Sequence, residues 1–264
     1  MNDLLSAALL GIIEGLTEFL PISSTGHLLV AEQWLGSRSE LFNVGIQAGA
    51  ILAAVVVFWP RLMQLVFGLG QKENRDYLGK LTFAFAITAV GGFVAKKLGA
   101  TLPVTVLPIA IAFIVGGVVI LAVEWAVARR PEVREVTWSV AFWVGLCQIL
   151  AAVFPGTSRS AATIFAAMLA GLTSRQAATE FAFLVGIPTM FAATAYEFLK
   201  LRGTEPVHEN WNAFATAFVV SAVVAFIAVK WLLRYVQTHR FTWFAWYRIV
   251  AGLALLLMAF ARRG

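Results

Sequence analysis

Long apolar runs separated by short charged links recur along this chain, at lengths that suit helices rather than strands. Six runs reach spanning length, roughly 42–59, 79–98, 104–128, 177–199, 212–233 and 243–261, and about 20 residues of α-helix cross a bilayer's hydrocarbon core. Four shorter runs, near 4–20, 23–35, 137–153 and 158–171, form two pairs, each split by a proline followed by hydroxyl residues. Runs this short read as re-entrant or buried rather than spanning. The pattern predicts an all-α polytopic membrane protein with six transmembrane helices plus two re-entrant helical hairpins, in one membrane domain over 1–264.

Composition supports that reading. The chain is 60% hydrophobic and 13% charged, where a soluble domain carries about 25% charged residues. The net charge is +6, but the basic residues lie mostly between apolar runs. They therefore point to membrane topology and lipid headgroups rather than to nucleic acid. A lone cysteine, Cys147, excludes an intrachain disulfide and a cysteine-based metal site. The start, Met-Asn-Asp, lacks a basic region, so no cleavable signal peptide is expected.

The two split pairs look like copies. A shift of 134 residues lays Gly11 on Gly145, Glu14 on Gln148, Pro21 on Pro155, Ser23 on Thr157 and Ser24 on Ser158. In that register Arg159 stands where Thr25 stands. The run Phe42-Asn-Val-Gly-Ile-Gln47 resembles Phe183-Leu-Val-Gly-Ile-Pro188. Each half, about 1–130 and about 135–264, then holds one broken hairpin and three spans. Three is odd, so the second half enters from the opposite face, an inverted repeat that places ligand sites between broken helices near the midplane.

If both hairpins return to the side they left, Arg38, Lys96, Lys97, Lys200, Arg202, Arg262 and Arg263 share the face of the termini. The other face collects Arg61, Lys72, Arg75, Lys80, Arg129, Arg130, Arg134, Arg175, Lys230, Arg234 and Arg240. Seven against eleven places both termini outside by the positive-inside rule.

Chemistry gathers at the breaks. Glu14 and Glu18 are four residues apart, hence on one helical face. Ser23 and Ser24 open the next run, with Thr25, Gly26 and His27 in its first turn. The second break reads Phe154-Pro-Gly-Thr-Ser-Arg-Ser160. Arg159 has the shape for a bidentate grip on phosphate, or for a buried ion pair with Glu14 or Glu18. Each break presents a helix N-terminus with free N–H groups that favour an anion. Two carboxylates beside an anion site call for a divalent metal. A pyrophosphate or phosphate ester with Mg²⁺ or Ca²⁺ suits all of these residues. Ser24 or Ser23 could attack phosphorus while the other only caps, and His27 could act as acid or base or simply hold a backbone group. Gln47 and Gln148 could line the pocket or bond between helices. Arg248 is expected to pair with a buried acid such as Glu18 or Glu180.

Glu14-Gly-Leu-Thr-Glu18-Phe-Leu-Pro-Ile-Ser-Ser-Thr-Gly-His27 and Pro155-Gly-Thr-Ser-Arg-Ser160 resemble the two signature motifs of the bacterial undecaprenyl-pyrophosphate phosphatases, the integral-membrane family associated with bacitracin resistance. The resemblance extends to 42–52, 180–184 and Tyr247-Arg248. It implies hydrolysis of undecaprenyl pyrophosphate to undecaprenyl phosphate and inorganic phosphate, recycling the lipid carrier of cell-wall synthesis in the plasma (inner) membrane. It implies a divalent cation at Glu14 and Glu18, and a catalytic group of Ser24, His27, Glu18 and Arg159. Ser23, Thr25, Gly26, Thr157, Ser158, Ser160 and Gln47 would bind substrate, in a pocket open to the outer face. The implied partners are the isoprenoid lipid pyrophosphate and membrane lipid, with no nucleic acid; assembly as a homodimer stays open. The second motif departs from the family in carrying Ala161 where glycine is usual. A different lipid-phosphatase class needs histidine where this chain has Phe165. A transporter or flippase of a phosphorylated lipid or anion, on the same inverted repeat, is the competing reading.

Overall fold

A computed structural model describes residues 2–100, 104–201 and 210–261. The described residues form ten helices: α1 (Asp3–Thr17), α2 (Ser24–Leu35), α3 (Glu40–Phe67), α4 (Lys72–Lys97), α5 (Val106–Val127), α6 (Trp138–Val153), α7 (Arg159–Leu169), α8 (Arg175–Leu201), α9 (Trp211–Thr238) and α10 (Thr242–Ala261). Every expected run is a helix. Starts are fixed by side chains that accept an otherwise unpaired backbone N–H, as Asn2 does from Leu4, Ser39 from Phe42 and Thr137 from Val140. The expected end of the first span, before Pro60, is wrong. α3 runs through Pro60 to Phe67 and α8 runs through Pro188, since a helix held by tertiary packing survives one missing backbone bond.

Six of the helices are long and apolar enough to cross a membrane: α3, α4, α5, α8, α9 and α10. Their outward faces carry large apolar side chains such as Val90, Val118, Ile227, Val250 and Leu257. A surface of that kind needs lipid around it, and the chain is a multi-pass membrane protein.

The packing has two-fold character. α1 lies along α9 as α6 lies along α4, and α5 packs on its counterpart α10 as α3 does on α8. The close approaches correspond as well. A Cβ on Gly11 would lie 2.5 Å from the Ala217 carbonyl oxygen, and one on Gly145 would lie 2.6 Å from that of Ala84. Both glycines let two backbones touch.

The breaks between α1 and α2 and between α6 and α7 share one backbone device. Ser23 has φ 73° and Ser158 has φ 69°, the only non-glycine residues with positive φ among those described. That fixes the true correspondence of the halves. Ser23, not Ser24, matches Ser158, so the shift is 135 residues after the break and 134 before it. Arg159 opens α7 as Ser24 opens α2, and does not stand at the Thr25 position. One extra residue in the second break causes the slip.

The breaks sit at mid-height. A Cβ on Gly15, three residues before the first break, would lie 2.9 Å from the backbone nitrogen of Ala225, near the centre of α9. At one end of the molecule, Asp3 meets Arg38 at 2.7 Å and Asn210 at 2.7 Å. Lys96 and Lys200 both reach Glu197 on one face, while Arg61 meets Glu180 at 3.1 Å. Arg202, Arg262 and Arg263 fall outside the described residues.

Candidate active site

Glu18 is the hub. It caps the end of α1, and its side chain is only 6% exposed. One carboxylate oxygen, Oε1, accepts from Arg159 Nη2 at 3.2 Å and from Gln47 Nε2 at 3.4 Å. The other, Oε2, accepts from the Ser24 hydroxyl. Ser24 and Arg159, from opposite halves of the chain, therefore share one carboxylate. The ion pair anticipated for Arg159 is made with Glu18.

A small polar cavity opens over this hub, lined by Glu18, Ser23, Ser24, Thr25, Gln47, Ser158 and Arg159 together with Ala151 and Gly156. Both helix starts face it, α2 at Ser24 and α7 at Arg159. Ser23 sits at the N-cap position without a side-chain capping bond, whereas Ser158 caps by accepting from Ala161 N. Ser23 is therefore no simple cap, and its positive φ turns the chain into the pocket.

Several expected binding residues serve the framework instead. The Ser160 hydroxyl donates to the Leu20 carbonyl at 2.9 Å, tying the second break to the first. Gly26 faces away from the cavity; a Cβ there would lie 2.6 Å from the Phe113 ring. Thr157 offers its carbonyl to Arg248. Gln148 donates to Thr88 at 3.1 Å between α6 and α4, so it bonds between helices while Gln47 lines the pocket.

His27 does not meet the Ser24 hydroxyl. Its Nδ1 lies 2.7 Å from the Ser23 carbonyl and its Nε2 2.6 Å from the Tyr247 hydroxyl, with the His27 and Tyr247 rings stacked. A carbonyl only accepts, so Nδ1 carries the hydrogen, and in the neutral ring Nε2 accepts from Tyr247. The imidazole thereby holds the turn at Ser23 from behind.

Arg248 is wholly buried and, among the described residues, forms no ion pair with an acid. Each of its five N–H groups meets a different carbonyl oxygen. Nε reaches Phe113, Nη1 reaches Pro21 and Thr157, and Nη2 reaches Ala112 and Gly156, at 2.8–3.4 Å. Pro21 belongs to the first break, Gly156 and Thr157 to the second. One guanidinium therefore stitches both breaks to α5, and the expected partner Glu18 or Glu180 is replaced by backbone. A broken helix frees carbonyls that cannot be left bare in hydrocarbon, and Arg248 satisfies them. Glu180 pairs with Arg61 instead. Sequence reading gave no site role to Gly156, Ala151 or Tyr247, although Gly156 lies in the second motif and Tyr247 in the Tyr247-Arg248 pair where the family resemblance continues.

Glu14 is 1% exposed, and its Oε2 has no hydrogen-bond partner. An unpartnered, buried carboxylate oxygen one helical turn from Glu18 is a donor suited to a hard cation. Among the described residues no group of three His, Cys, Asp or Glu side chains comes together, so further ligands would have to come from phosphate or water.

The family described as "Bacitracin resistance protein BacA" matches residues 7–254. The chain belongs to this family. Relatives called undecaprenyl-diphosphatase share 61% identity in Rhizobium etli, covering 97% of each chain, and 56% in Xanthomonas oryzae, covering each chain completely. One from Stenotrophomonas maltophilia is 61% identical over 97% of this chain and 98% of its own. Both hydroxyl-bearing breaks of this BacA-family chain lie inside the matched residues.

Proposed function

We propose that this chain hydrolyses undecaprenyl pyrophosphate to undecaprenyl phosphate and inorganic phosphate, in the inner membrane with the pocket open to the periplasmic face. The carrying observation is the Ser24 hydroxyl bonded to Glu18 beside Arg159, with two helix N-termini facing one cavity. The names of the relatives supply the substrate.

The terminal phosphate would lie against Arg159 and the backbone N–H groups at the starts of α2 and α7, which bind and orient its oxygens. The Ser24 oxygen forms a bond to the terminal phosphorus as its proton passes to Glu18. The bridging P–O bond breaks, and the lipid phosphate leaves with its electron pair. Water then attacks the phosphoserine, giving its proton to the site, and Ser24 regains its hydrogen as inorganic phosphate departs. His27 and Tyr247 keep the turn at Ser23 in place. Glu14 and Glu18 would hold a divalent cation, Mg²⁺ or Ca²⁺, which when bound offsets the charge of the phosphate oxygens. The repeat halves, about 1–130 and about 135–264, form one membrane domain around this site.

The test is phosphate release from an isoprenyl pyrophosphate in detergent, by the native chain and by Ser24→Ala and Glu18→Gln, with substrate binding followed separately. Both variants should bind and fail to release phosphate, losing at least about 100-fold. Normal hydrolysis by either variant refutes its assigned role. No release by the folded native chain with any divalent cation favours lipid movement instead, which the two-fold packing also suits.

A further inference from the structure

A second polar cavity, of about 380 Å³, shares no lining residue with the hydrolytic one. Its walls come from the α5–α6 link, the α7–α8 link and the α9–α10 link, and their charged residues are Arg130, Arg134, Arg175 and Arg240 with one carboxylate, Glu132. The N-cap of α9, Asn210, bonds Asp3 at the end that holds the N-terminus, while Gln237 at the other end of α9 lines this cavity. With 28 residues in α9, the two ends are about 42 Å apart at 1.5 Å per residue. The cavity and the hydrolytic site also flank α7, which starts at Arg159 and ends just before Thr173 and Ser174.

The cavity is built on a fixed frame. Buried Glu124 takes Arg175 through Nε and Nη2, at 2.9 Å and 2.6 Å, and also accepts from the Phe241 backbone N–H at 2.9 Å. The α5–α6 and α7–α8 links are laced together. Val133 N–H donates to Thr173, Thr173 donates to the Pro131 carbonyl, and Ser174 N–H donates to the Val133 carbonyl. Arg134 meets Glu132 at 2.9 Å.

Charge decides what such a frame holds. Glu124 answers Arg175 and Glu132 answers Arg134, which leaves two guanidiniums in excess. Among the described residues, neither Arg130 nor Arg240 forms an ion pair. α8 begins in the cavity wall at Arg175, so the free N–H groups of its first turn add positive potential. Guanidinium groups converging beside a helix start are the chemistry of phosphate recognition. At the end of a set of spanning helices, the phosphate of a lipid headgroup is within reach.

We propose that the cavity between the α5–α6, α7–α8 and α9–α10 links is a second phosphate-binding site, on the end of the molecule opposite the termini, for a phosphate ester or free phosphate. The excess pair Arg130 and Arg240 supplies the grip, beside the Arg175–Glu124 pair that holds the frame. This assignment does not depend on the hydrolytic reading.

Calorimetric titration of the full chain in neutral detergent tests it, with short-chain phosphatidic acid as probe and the matching phosphatidylcholine as reference. An Arg159→Gln background, titrated in EDTA, removes the guanidinium and any cation from the hydrolytic pocket and so lowers its share of the binding. Arg130→Gln with Arg240→Gln should weaken phosphatidic acid at least tenfold. Arg129→Gln with Arg234→Gln, which removes the same charge outside the cavity, should change it less than twofold. In otherwise native protein the Arg130/Arg240 pair of substitutions should leave phosphate release within twofold. Competition by inorganic phosphate identifies the phosphate group alone as the ligand; binding without competition identifies a lipid headgroup held with its chains. Equal weakening by both pairs of substitutions, or none by either, overturns the site.

Discussion

Arg248→Lys isolates the role of the buried guanidinium. The charge stays and the side chain is of similar length, but an ammonium has three donors where the guanidinium has five. All five N–H groups of Arg248 are in use, on carbonyls of α5 and of both breaks. Lysine must abandon at least two of those carbonyls. Each carbonyl of a break left bare costs about 1–3 kcal/mol, whereas those of α5 keep their intrahelical bonds. An ammonium is also compact and cannot span from Pro21 to Gly156, so one break drifts relative to the other. A misplacement of about 1 Å can cost about 100-fold in rate. Melting in detergent, followed by fluorescence size-exclusion chromatography, should shift down. Phosphate release, measured well below that melting point, should fall at least tenfold, although Arg248 does not line the cavity. A variant that melts like the native chain and releases phosphate within twofold would refute the stitching role.

Gly11→Leu and Gly145→Leu should each lower the yield of folded protein, by about 1–3 kcal/mol of stability or more, because the added Cβ meets the backbone oxygens of Ala217 and Ala84; the melting assay checks both. Gln47→Leu should reduce phosphate release with the melting point kept, whereas Gln148→Leu, which leaves Thr88 without its donor between α4 and α6, should lower the melting point and spare the rate of the folded fraction. Arg159→Lys should weaken substrate binding, since the point charge cannot reproduce a two-pronged grip; a rise in KM is the readout. Chelation with EDTA should abolish phosphate release and added Mg²⁺ or Ca²⁺ should restore it, while Glu14→Gln should shift the restoring cation concentration upward.

Much of the molecule was legible in its sequence. Apolar run length and the position of proline and serine located all ten helices, because both the hydrocarbon thickness and the loss of a backbone donor act locally along the chain. The spacing of Glu14 and Glu18 placed two carboxylates on one helix face, and the repeated breaks singled out Ser24 and Arg159, although the constant shift set Arg159 against Thr25 rather than Ser24. Charge and hydroxyls where hydrocarbon disfavours them marked Ser24 and Arg159, while the choice of Glu18 over Glu14 as the partner of Arg159, and the place of Gln47 beside it, came from the structure.

What the tertiary structure decided are the contacts whose partners leave no mark in a sequence. Arg248 satisfies five carbonyls, and a carbonyl is the same at every residue, so an acid was the natural but mistaken expectation. His27 is held by Tyr247, 220 residues away, and only the packing of α10 against α5 and the breaks brings that hydroxyl near. The correspondence of Ser23 with Ser158 rests on backbone torsion, which a one-residue insertion hides from any constant shift. Gly26 was expected to bind substrate, but α5 presses Phe113 against it. Local propensity and hydropathy wrote the elements; the long-range closure of α1 on α9, α6 on α4 and α5 on α10 chose which polar groups face the cavity and which hold the frame.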